Sequence, residues 1–280
     1  MNTLKWAFNS ATAMNLPWAE ELPLLEKFKW SAAELWYDKI KARLDAGDTA
    51  LKLARQMQDA GVEPIGVAAA VIWTASEGHD PADERAELER RLDVTAGLSA
   101  GALTVVLLGK VGPDLCQEYC KLAEKVRAAA ELAAARKVRL NVEFLGGLPI
   151  VGTLRSCIEL LKAVDHAGAG MLLDLCHYYT SASHMEELAL LPAGKLFLVH
   201  VDDARPKPME ALKNDERLFP GEGMMDVPGL LRQIRRIAKY KGYFSLEIYD
   251  KEVWKLPAQE VFERARKSVR YVERRMRREG

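Results

Sequence analysis

VRLNVEF (138–144), AGMLLDL (169–175), LFLVHV (196–201) and YFSLEIY (243–249) are short, mainly apolar runs, each with an acid or a histidine near its C-terminal end. Runs of this length and composition suit strands covered on both faces, the condition of a parallel sheet. Four similar runs precede them: LKWAF (4–8), AELWY (33–37), PIGVAAAVIW (64–73) and ALTVVLLG (102–109). Between runs the apolar residues switch to helical spacing, as in Leu51, Leu53, Ala54 and Met57, or Leu115, Tyr119, Leu122, Val126 and Ala129. Eight strand-then-helix units predict an α/β protein, a single (β/α)8 TIM barrel. An open doubly wound sheet shares this alternation, but no GxGxxG follows the first run.

No Gly-, Pro- or Ser-rich linker divides the chain, so residues 1–280 are expected to form one domain. The longest irregular stretch, ARPKPMEALKNDERLFPGEG (204–223), lies after the seventh run. Loops of that length in a compact domain are usually functional. Forty basic residues balance forty acidic ones, which argues against nucleic acid or an anionic membrane as partner and favours a small, neutral substrate. The basic segment Arg264–Arg278 carries Val269, Tyr271, Val272 and Met276 at helical spacing and reads as a helix with a solvated basic face. Cys116, Cys120, Cys157 and Cys176 form no pair of CxxC motifs, and residues 1–30 hold no signal-peptide core. Reduced thiols and a cytoplasmic location are expected.

Active sites of (β/α)8 barrels lie at the C-terminal ends of the strands. There the last four strands offer Glu143, Asp174, His200 and Glu247, each flanked by apolar residues. A single acid in a strand is as readily a core ion-pair partner as a ligand. Three carboxylates and an imidazole crowded into one low-dielectric mouth need a counter-charge, and a divalent cation supplies it. Three oxygen donors and one nitrogen suit Mn, Mg, Co or Zn. Around them, His177 is placed to donate to a substrate oxygen, or is a helix-start histidine. Asp202 and Asp203 are placed to orient His200 through its second ring nitrogen, or are turn acids. Arg205 and Arg217 are candidates for a substrate hydroxyl, carbonyl or phosphate, or are surface cations. Trp36 and Trp73 form an apolar wall or fill core, and Gly221 and Gly223 make a turn. His166 and His184 fall on expected helices, and His79 on a polar loop.

The strings VEFLGG, LLDLCH, LVHVDDA, DERLFPGEGMMDVPGLL and YFSLEIY, with FNSAT near the start, resemble the xylose isomerase-like (AP endonuclease family 2) TIM-barrel sugar isomerases and epimerases. Within that family the similarity is greatest to the inosose isomerase branch of inositol catabolism, while Arg205 resembles the epimerase branch. The resemblance implies one divalent metal on Glu143, Asp174, His200 and Glu247, with Glu143 and Glu247 as the proton-shuttling pair. It makes His177 a substrate contact and matches Arg217 to an arginine before the PGEG turn. The implied reaction is isomerisation or epimerisation of a keto-sugar or inosose through a metal-stabilised cis-enediolate, in a protein that is a homo-oligomer in related cases. A dehydratase-type lyase using the same enolate, and a sugar-binding barrel without turnover, are the alternatives. Abasic-site endonuclease action would need more histidines at strand ends than this chain supplies.

Overall fold

All eight apolar runs form strands, and the strands close on themselves in the computed structural model, which describes residues 4–278. They are β1 (Lys5–Asn9), β2 (Ala32–Trp36), β3 (Glu63–Trp73), β4 (Ala102–Leu108), β5 (Arg139–Glu143), β6 (Ala169–Asp174), β7 (Leu196–Val201) and β8 (Tyr243–Leu246). Each pairs in parallel with its sequence neighbour, and β8 pairs with β1 to complete a TIM barrel. The registers place Asn9 beside Glu34, Val106 beside Glu143, and His200 between Asp174 and Ser245, so polar residues of different strands share one end of the barrel.

The helices bury one apolar stripe each against this barrel. In the helix Leu115–Ala135 the stripe is Leu122, Val126, Ala129, Ala130 and Ala133, and Asp114 caps the first turn through the Gln117 amide. The C-terminal helix (Ala258–Arg278) buries Val261, Phe262, Ala265, Val269, Val272 and Met276 and exposes Arg270, Arg274, Arg275 and Arg277, while Arg264 and Arg266 lie half-buried over the Phe219 and Trp30 rings. Its Phe262 stacks on Phe8 at 4.4 Å. Around the closing seam Thr12 Oγ1 donates to the Leu246 carbonyl at 2.9 Å and accepts from the Ile248 amide at 2.9 Å.

Two departures from the expected alternation have local causes. Two helices, Tyr37–Asp45 and Ala50–Asp59, follow β2, because AGDT between them ends the first and lets Thr49 cap the second. After β6 only a short helix (Leu175–Tyr179) and a 3-10 turn (Met185–Leu190) form, since YYTSASH lacks apolar periodicity and its hydroxyls compete for backbone partners. His166 and His184 therefore lie outside helices, the first in the turn before β6 and the second capping the 3-10 turn.

Within 204–223 the irregular stretch folds back on itself. Asp203–Ala204 pairs antiparallel with Arg217–Leu218 in a two-stranded ribbon. The Asp203 carboxylate accepts from the amides of Ala204, Gly221, Gly223 and Met225 and so pins the PGEG turn. A side chain at Gly223 would lie 2.3 Å from the Ala204 carbonyl, and Gly221 has φ +90°, so both positions require glycine. All four cysteines are free, and no described helix is long and apolar enough to cross a membrane.

Candidate metal centre

Glu143 ends β5, Asp174 ends β6, His200 is next to last in β7, and Glu247 follows β8, held by its amide on the Val201 carbonyl at 3.1 Å. One donor atom from each of the four lies within 4.8 Å of all the others, and all four residues are buried. His200 Nδ1 is 3.1 Å from Glu247 Oε2 and 3.7 Å from both Glu143 Oε1 and Asp174 Oδ2, yet it makes no hydrogen bond among the described residues. An orphaned buried nitrogen facing three carboxylates is a donor set that fits a divalent cation, with three hard oxygens, one imidazole and no thiolate.

The electrostatics follow from crowding. Burial pushes the Glu143 carboxyl up to about 7, with His200 opposing and Glu247 and Asp174 adding to the rise. For Asp174 and Glu247 burial acts the same way but is outweighed: Arg217, His177 and His200 hold Asp174 far below the usual range, and His200 and Arg217 hold Glu247 below it. His200 itself is held well above the ordinary histidine value, because Glu247, Glu34 and the other carboxylates outweigh its burial.

Arg217 is the cation that balances this group from the protein side. The ribbon carries it into the barrel mouth, where it is 2% exposed. Its Nη1 donates to Asp174 Oδ2 at 2.5 Å, Asp202 Oδ2 at 2.8 Å and Glu247 Oε2 at 3.0 Å. It is no surface arginine. His177 is buried beside it: Nδ1 accepts from the Gly146 amide at 3.2 Å, and Nε2 stands 3.2 Å from Arg217 Nη2. Burial lowers its pKa to about 4, so the ring is neutral near pH 7. With Nδ1 accepting, the proton sits on Nε2, where two donors then face each other and a further acceptor is needed.

Three expectations are corrected. Asp202 and Asp203 do not orient His200, because Asp202 is taken by Arg217 and Asp203 by the PGEG amides. The residue that bonds the second ring nitrogen is Glu34 of β2, whose Oε2 lies 2.8 Å from His200 Nε2. A lone glutamate in AELWY carried the same signal as the acids of the later strands, on a strand outside the last four. Arg205 is paired with buried Asp250 at 2.5 Å rather than brought to the cluster. Trp36 stands at the same end of the barrel, half-buried, 6.4 Å from the Tyr249 ring, and Trp73 stacks on His79 at 4.0 Å.

The family model of the xylose isomerase-like TIM barrel matches residues 22–274. An inosose isomerase of Bacillus velezensis is 24% identical over 273 residues, 96% of this chain and 97% of its own length. A 3-dehydroshikimate dehydratase of Pseudomonas aeruginosa is 32% identical over 169 residues, 60% of this chain but 26% of the dehydratase. In three dimensions the chain superposes on the crystal structure of IOLI protein with a binding zinc atom (TM-score 0.89, 23% identity, 98% of this chain and 99% of that one). It also superposes on D-psicose 3-epimerase in the presence of D-fructose (TM-score 0.76, 17% identity, 98% and 99%). With a family match over most of its length, a closed eight-stranded barrel and a four-residue donor cluster at the strand ends, the chain belongs to the xylose isomerase-like TIM barrel family.

Proposed function

We propose that residues 1–280 are one barrel domain that isomerises or epimerises a keto-sugar or inosose with one divalent metal, Mn, Mg, Co or Zn, on Glu143, Asp174, His200 and Glu247. The observation that carries this reading is the convergence of those four buried donors within 4.8 Å at the mouth of the barrel. A bound cation would polarise a substrate carbonyl and offset the charge of the enediolate. The protein's part is orientation and proton transfer. Glu247 is fixed at both oxygens, Oε1 by Asn9 at 3.2 Å and Oε2 by Arg217 at 3.0 Å, which keeps it ionised and aimed. Glu143 has no such clamp among the described residues, His200 Nδ1 standing 3.7 Å from its Oε1, and its raised pKa, near 7, suits a group that takes a proton from carbon and gives it back. Neutral His177 offers its Nε2 proton to a substrate hydroxyl. The partners are small molecules, and the inosose isomerase relatives support an inosose among them.

Solvent-deuterium exchange into a panel of inososes and ketoses, followed by mass spectrometry, tests the reading. Deuterium is expected on the carbon next to the carbonyl of one compound. A metal-loaded protein that binds polyols and leaves every such proton unexchanged is a sugar-binding barrel, and the enzyme reading falls. The dehydratase relatives favour a second outcome, in which the same abstraction is followed by loss of a β-hydroxyl; an ultraviolet-absorbing enone product identifies it.

Metal affinity is expected to depend on pH. The cation competes with protons on Glu143, whose pKa is about 7, and on His200, whose pKa is raised further, so affinity falls as pH drops. Calorimetric titration from about pH 8 to about pH 6, in buffers of different ionisation heat, should show weakening affinity and proton release. Constant affinity over that range contradicts the ligand set.

A further inference from the structure

Glu34 is a buried acid of the barrel strands that lies outside the donor cluster and has no lysine or arginine partner among the described residues. It is fully buried, and its carboxylate is a hub for four strands. Oε1 accepts from Thr104 Oγ1 of β4 at 3.0 Å. Oε2 meets Asn9 Nδ2 of β1 at 3.0 Å, Ser245 Oγ of β8 at 2.8 Å and His200 Nε2 of β7 at 2.8 Å. Its ion-pair partner is His200. A buried carboxylate costs several kcal/mol unless its charge is matched, so a position like this is expensive to keep for packing alone.

Two of the four donors are reached from this hub. The first is direct: with Nε2 donating to Glu34, the His200 ring is turned so that Nδ1 faces Glu143, Asp174 and Glu247. A carboxylate behind an imidazole fixes its tautomer and makes the opposite nitrogen a stronger base. The second runs through Asn9. Its Oδ1 accepts from the Ala11 amide at 2.9 Å, which leaves Nδ2 as the end that must meet both Glu34 Oε2 and Glu247 Oε1. The amide orientation is therefore set by the backbone.

We propose that Glu34 is a positioning residue of the metal centre, acting on His200 directly and on Glu247 through Asn9, and that it tilts the site toward cations that favour nitrogen, such as Zn and Co, over Mg. This rests on the proposed metal centre. The preference follows because Mg favours oxygen donors and keeps its water, while the transition cations gain most from a more basic imidazole.

The test compares wild type, Glu34→Gln and Asn9→Ala for zinc and magnesium affinity by chelator competition, with thermal unfolding in chelator as the measure of fold. Glu34→Gln keeps an acceptor for His200 and removes the charge. It should weaken zinc by about 10–100-fold and magnesium by less. The low-field His200 Nε2–H proton resonance of the zinc-loaded protein should move upfield. If Glu34→Gln does not fold, Asn9→Ala carries the test alone, with zinc weakened by about tenfold. Equal zinc affinity in a folded variant overturns the proposal. So does an equal loss for zinc and magnesium together with reduced stability in chelator, which would make Glu34 a packing residue. If wild type itself binds neither ion, the metal-centre reading fails instead.

Discussion

Glu143→Gln should lower turnover by about 10²–10⁴-fold, the range for removing a positioned acid or base. The reason is specific to this carboxyl. Asp174 and Glu247 are held ionised by Arg217 and His200, whereas burial raises Glu143 to a pKa near 7. Glutamine retains one oxygen donor but has no exchangeable carboxyl proton. The measurement is kcat on whichever compound takes up deuterium, with bound metal quantified in the same preparation. Full turnover in a metal-replete Glu143→Gln protein removes this residue from proton transfer.

Arg217→Met should destabilise the protein by about 3–5 kcal/mol in chelator, because it leaves Asp174 and Glu247 buried without their shared cation and strips Asp202, whose pKa burial already raises, of its hydrogen-bond donor. Two dependences separate this from loss of packing. Added divalent metal should restore part of the stability, since it supplies a charge to two of those carboxylates, Asp174 and Glu247. Acid should shrink the difference from wild type: Asp174 is held far below its usual pKa with Arg217 in place, so its stabilising ionisation persists to low pH in wild type. In the variant Asp174 is protonated at a higher pH and no longer strains the core. Urea unfolding in chelator, with and without excess metal, at neutral and mildly acidic pH, checks both. A loss that neither metal nor acid changes would assign Arg217 to packing.

The eight strands were legible because a parallel barrel buries both faces of each strand, which writes a short apolar run into the sequence. The four clustered donors were legible for the converse reason: one acid or histidine inside such a run has to be matched by something. Glu34 meets the same criterion within AAELW, but as a single acid on an early strand it reads as readily as a core ion-pair partner. What local pattern does not encode is where a loop goes. Arg217 lies among Asn, Asp and Glu in a stretch with prolines and reads as surface, yet the Asp203–Ala204 ribbon turns it into the barrel. The partners of Asp202 and Asp203 are hidden from the local sequence for the same reason, because they belong to the returning loop. The weak helix after β6 shows the limit of periodicity from the other side, since YYTSASH has none to read.

The Asn9–Glu247 contact joins residues 238 positions apart across the seam where the first and last strands meet. During synthesis Glu143, Asp174 and His200 leave the ribosome well before Glu247, so the cradle stays unfinished until the eighth strand docks on the first. Long-range pairings of this kind form late and slowly. Cation capture would then be among the last events of maturation, and a captured ion would act as a latch on the finished ring, drawing the folding equilibrium toward closure in proportion to its free concentration.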